Sequence, residues 1–176
     1  SANELILRMK KGIRDVLPRL ERLEKNGFYI ETIMVNGQLV EHAIKSVIIA
    51  CKLKRSISGH LDLPDPYSKI RSTRKGQKLF EKDMNNFNRK ELGKIIGLFR
   101  ELTKNKEMAD KLEKFNTFRI EFIHHVFNGN SDLDEMDKKA KEYITNPDFK
   151  QMVVNIALIH RQIQKEIQDL HLPHQS

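Results

Sequence analysis

Tryptophan is missing from the 176 residues, tyrosine occurs three times, cysteine once, and glycine and proline only eight and five times. Each scarcity removes a class of protein. A lone cysteine, Cys51, excludes an internal disulfide framework and a four-cysteine zinc site. It closes the apolar run SVIIAC, where a small buried thiol is expected rather than an activated one. Few glycines and prolines argue against collagenous, low-complexity and turn-rich β chains. Long apolar runs are lacking too: SVIIAC and MVVNIALI fall far short of the ~20 residues that cross a membrane. No charged-then-apolar segment opens the chain. A reducing, cytoplasmic setting away from membranes is therefore expected.

What is present is charge and helical periodicity. Apolar residues make up 39% and charged residues 32%, the balance of a globular chain. At this length one domain spanning residues 1–176 buries roughly 70% of the surface that the unfolded chain exposes, so no covalent staple is required. The net charge of +8 is concentrated, with Lys69, Arg71, Arg74, Lys75 and Lys78 inside ten residues. Phosphate is the natural partner of such a run, although a solvated loop accounts for it equally well.

Five or six helices follow from 3.6-residue periodicity, and no alternating strand pattern competes, which predicts an all-α, single-domain helical bundle. The first is expected from about Asn3 to Lys25, kinked or divided at Pro18, with Asn26-Gly27 as its stop. The second runs from about Tyr29 to Arg55. SISGHLDLPDPYS reads as a loop continuing into the basic segment. Asn88 is positioned to cap a third helix over 89–104, Asn105 starts a fourth ending near Phe127, and Ser131 with Asp134 resembles a capping box for a fifth. The last covers about 147–170.

The fourth helix contains FNTFRIEFIHHVF, which carries a permanently charged arginine among aromatic and aliphatic side chains. On an ideal wheel Leu112, Phe115, Phe122, Ile123 and Val126 lie within about 60° of Arg119, so Arg119 sits at the centre of the apolar arc. A guanidinium cannot shed its charge, and burying it alone is severely unfavourable. Either a carboxylate pairs with it, or the arc faces a phosphate or a second subunit. Glu41 interrupts the apolar stripe of the second helix in the same way, so a Glu41–Arg119 ion pair is expected. His124 and His125 fall on opposite polar flanks, about 140° and 120° from Arg119. A site using Arg119 and His124 together therefore needs a distorted helix end or two copies meeting across an interface.

Other constellations fail on spacing. Adjacent helical histidines point apart, and no companion ligand spacing completes a metal site. Residues 75–78, KGQK, lack the glycine framework of a phosphate loop. His42 and His160 stand alone on helices, and His171 and His174 lie in the tail. His124 and His125 also suit a helix C-terminus, where imidazolium is favoured by the dipole. No cofactor is expected. NRKELGKIIGLFRELTKNKEMADKLEKF keeps a DNA-binding helix pair open.

Arg119-Ile120-Glu121-Phe122-Ile123-His124, with His125 next, fits an arginine followed after four to six positions by histidine. Together with GQLVEHAIKSVI, ELGKIIGLF and LEKFNTFRIEFIHHVFNG, it resembles the HEPN superfamily of helical-bundle proteins over about residues 30–130. The resemblance implies a homodimer whose two motifs converge in a basic cleft. In active members it implies a metal-independent endoribonuclease of a toxin–antitoxin, phage-defence or RNA-processing system, with an antitoxin or other protein as a further partner. His124 would then act as general acid or base and Arg119 as phosphate stabiliser, with Glu121 and His125 in support. Ile120 departs from the pattern, because active families commonly carry Asn or another polar residue after the arginine. The alternative implied by that departure is an inactive helical module that binds RNA, nucleotide or a protein partner.

Overall fold

A computed structural model describes residues 2–58, 91–128 and 132–170, and these form six α-helices with no strand among them. They are α1 (Ala2–Lys25), α2 (Tyr29–Ser58), α3 (Leu92–Thr103), α4 (Lys106–Phe127), α5 (Leu133–Thr145) and α6 (Pro147–Asp169). The all-α bundle expected from periodicity is what forms. The basic cluster Lys69, Arg71, Arg74, Lys75 and Lys78, and the cap expected at Asn88, lie outside the described residues.

Pro18 does not divide α1, which runs through it as one helix. Its ring is on the exposed side, so water can serve the carbonyl that a proline leaves without a partner. Gly27 adopts φ +79° and closes the turn into α2, as glycine without a Cβ penalty can. Asn105 caps α4, its side chain accepting from the Met108 amide at 3.0 Å. The cap of α5 is Asp132, accepting from the Asp134 amide at 3.0 Å, one residue beyond the expected serine.

Every other described helix packs on α2. Its apolar residues are spread around most of its circumference, so neighbours cover it on several sides and leave Met34, Gln38 and His42 exposed along one line. Val40, Ile44, Val47 and Ile48 of α2 meet Ile95, Ile96 and Phe99 of α3, Leu112 and Phe115 of α4, and Met152 and Ile156 of α6 in the main core. A second cluster gathers Ile33 of α2, Phe122 of α4, and Met136, Ala140 and Ile144 of α5. Aromatic contacts fix the rotation of α4: Phe118 stacks on Tyr143 with centroids 3.9 Å apart, and Phe115 lies 5.3 Å from Phe149. Burial pushes the Tyr143 hydroxyl up from its ordinary pKa. With three phenylalanines turned inward, the position of Arg119 on the same helix is no longer free.

Lys54 of α2 donates to Glu166 of α6, and Gln162 donates to the other carboxylate oxygen at 3.2 Å. The hydrogen bond from Lys54, then that from Gln162, holds the Glu166 carboxyl below the usual carboxylate range. A carboxyl depressed on folding stabilises above its unfolded pKa of about 4.3, and that stabilisation is lost as pH falls through the lower folded value. Lys54→Met should thus be less stable than the parent at pH 7, by roughly 0.2–1 kcal/mol for so exposed a pair. The gap should begin to narrow below about pH 4, where the unfolded carboxyl becomes protonated, and vanish below the lower folded value. Urea titrations of both proteins across that range would show it, and a gap independent of pH would refute the assignment.

Candidate functional site

The motif helix α4 presents its functional side chains in three directions. Arg119 faces α2, half-buried, with its stem laid across Gly37: a Cβ placed on that glycine would sit 2.7 Å from Arg119 Cδ and 3.3 Å from Nη1. Nη2 donates to Asn116 Oδ1 at 3.3 Å, one turn back on α4. Nε is buried without a hydrogen-bond partner among the described residues. Such an orphaned donor costs on the order of 1–3 kcal/mol, which stability alone does not account for.

The expected Glu41–Arg119 ion pair is not made. Glu41 is bonded instead to Lys45, one turn further along α2, at 2.6 Å, with the two side chains 20% and 5% exposed. The physical reason is local: Lys45 is four residues from Glu41 on the same helix, so the pair forms within α2 and spends the carboxylate before any contact between helices is needed. Arg119 solves its burial differently, covering Gly37 with its stem while Nη2 reaches the Asn116 amide oxygen.

His124 points elsewhere. It is exposed and flanked along one face by Ile120 and Phe127, themselves 44% and 71% exposed. The helix stays regular through Phe127, so no distortion brings His124 back toward Arg119 within one protomer. Glu121 and His125 take the third direction. They line an open pocket of about 350 Å³ between α4 and α5, floored by Phe118, Phe122 and Met136 and rimmed by Asp132, Glu135 and Lys139. Lys139 is paired with Glu135 at 3.1 Å.

The four motif residues named from sequence are thus separated: Glu121 and His125 share a pocket, while Arg119 and His124 each stand apart. Gly37 and Asn116 were not singled out from sequence as partners of Arg119. Signals for both exist in the chain. A glycine inside an apolar helical stripe costs about 1 kcal/mol against alanine, which marks a close approach, and an asparagine three residues before an arginine shares its face. Cys51 is buried, and desolvation raises its thiol pKa against the opposing pull of Arg55 and Lys54, so it is poorly suited to act as a thiolate. Among the described residues no group of three or more His, Cys, Asp or Glu side chains is placed to hold a metal ion. No helix there is long and apolar enough to cross a membrane.

No family model, curated protein or solved structure matches the chain.

Proposed function

We propose that this chain acts on RNA as a homodimer, cutting the strand without a metal at a composite site that joins Arg119 of one copy to His124 of the other. The observation that carries the reading is the stripe Ile120, His124 and Phe127. Two large apolar side chains left in water on either side of one histidine mark a surface suited to a second apolar helix, and a second α4 is complementary to it. A head-to-head arrangement would also overcome the angle of about 140° that separates the two motif side chains on one helix.

The chemistry follows from the residue types. Arg119 carries a charge that no carboxylate among the described residues neutralises, and a guanidinium braces a phosphate through paired hydrogen bonds as negative charge builds. Imidazole is the side chain suited to general acid or base work near neutral pH, and His124 offers one on the exposed stripe. The ribose 2′-oxygen attacks the adjacent phosphorus and gives up its proton as the bond to the 5′-oxygen breaks. The 5′-oxygen takes a proton, leaving a 2′,3′-cyclic phosphate and a 5′-hydroxyl. The supporting group that a polar neighbour of the arginine would supply is not at Ile120, which is apolar and faces outward. That favours, as a second reading, a module that binds RNA without cutting it.

The test is incubation of a mixed RNA pool with the protein in excess EDTA, beside Arg119→Ala and His124→Ala variants verified as folded. The expected result is cleavage with cyclic-phosphate ends, reduced about 100-fold or more in each variant. Light scattering should give twice the chain mass, falling to the monomer in Ile120→Asp/Phe127→Asp. Intact RNA at high protein concentration would overturn the cleavage reading, and a strict monomer would overturn the composite site.

A further inference from the structure

We infer that Gly37 and Asn116 are positioning residues that hold Arg119 in place. The inference rests on the reading of Arg119 as a phosphate-binding group, and it specifies what fixes the guanidinium where that reading needs it.

Three observations converge on the seam between α2, α3 and α4. First, Gly37 is buried in the interior of a 30-residue helix, and it is not among the residues of positive φ, so no turn requires it. The space its missing Cβ leaves is taken by Arg119: a Cβ there would lie 2.7 Å from Cδ, 3.3 Å from Nη1 and 3.6 Å from Nε. The first separation is closer than real Cβ atoms approach, so a Cβ at 37 would shift the flexible arginine stem from the position it holds here. Gly37 is a notch cut for that stem.

Second, the head is held from the other side. Asn116 Oδ1 accepts from Nη2, and the amide nitrogen of the same side chain lies 3.7 Å from where a Cβ on Gly93 would stand. The Asn116 amide thus lies beside the first turn of α3, with the space of a missing Cβ left at Gly93, while its oxygen faces the guanidinium. Asn116 offers the polar contact that Ile120 cannot, from one turn earlier on α4.

Third, the seat holds the charge without neutralising it. A neutral amide is the only hydrogen-bond partner of the Arg119 head among the described residues, and the acid one turn beyond Gly37 is engaged by Lys45. Held by a glycine and an amide, Arg119 stays fully charged and preoriented, the condition under which a donor stabilises a developing anion without reorganising.

Two readouts test this. The Arg119 Nε–H should give a slowly exchanging proton–nitrogen NMR resonance, identified by its loss in Arg119→Lys. Gly37→Ala and Asn116→Leu should each shift that resonance and speed its exchange by about tenfold or more. Asn116→Asp, which keeps an acceptor in place, should leave it protected. In the RNA assay, kcat should fall about tenfold in Gly37→Ala and in Asn116→Leu, with KM changed less than about twofold, as for an interaction realised in the transition state. Should Gly37→Ala not fold, Asn116→Leu carries both measurements.

An unmoved resonance in the folded variants would overturn the seat. A displaced resonance with unchanged kcat would overturn the positioning role and leave the RNA reading standing. A parent protein that cuts no RNA would overturn that reading, and the resonance alone would then decide whether Gly37 and Asn116 hold Arg119.

Discussion

Phe115→Ala is expected to lower unfolding free energy by about 3–5 kcal/mol, the usual cost of deleting a fully buried aromatic ring. The melting temperature should then drop by roughly 10 °C or more for a domain of this size. Phe115 has no exposed surface, and its ring contacts Phe149 of α6 at 5.3 Å and Tyr143 of α5 at 6.0 Å. It is thus the point at which α4 is tied to both C-terminal helices. Truncation leaves a void bounded by rings on two different helices, which cannot both move in without giving up their other contacts, including the stack of Tyr143 on Phe118. Urea and thermal unfolding followed by circular dichroism would check it. A loss under about 1 kcal/mol would mean that this region collapses freely and that the aromatic cluster does not set the orientation of α4.

Glu41→Ala should cost about 3 kcal/mol, because it strands an ammonium that is almost wholly out of water. Lys45 is only 5% exposed at its side chain, and its Nζ lies 2.6 Å from Glu41 Oε1. The pair itself is not expected to be strongly stabilising, since desolvation of both charges offsets most of their attraction. The double replacement Glu41→Gln/Lys45→Met should therefore fall within about 1 kcal/mol of the parent, well above the single variant. Unfolding curves for the parent, Glu41→Ala and the double variant separate the two effects. If Glu41→Ala matched the parent, Lys45 would have to reach solvent by a rotamer change, and its burial would carry no energetic weight.

Much of the architecture was legible in the chain because helices write themselves locally. The recurrence of Ile95, Ile96 and Phe99, or of Met152, Ile156 and Ile163, marks one face of a helix whatever that face will meet. Asn105 and Gly27 mark ends through chemistry confined to a turn. The anomaly of Arg119 was legible for the same reason: a fixed charge among Leu112, Phe115 and Phe122 violates a local pattern. So was the angular separation of His124, since it depends only on helical geometry.

The partner of Arg119 was not legible in this way. Sequence pointed to Glu41 by charge, yet the acid had a nearer claim from Lys45 within its own helix, and the arginine found a glycine and an amide instead. Which residues of α2 lie opposite α4 depends on how Phe115, Phe118 and Phe122 pack against α5 and α6, and that is a property of the whole bundle. The pairing of Glu121 with His125 in one pocket, apart from Arg119 and His124, follows from the same rotation. Periodicity along a chain specifies faces, charges and ends; the meeting of two faces is set by volume and contact among side chains far apart in sequence, which no local pattern encodes.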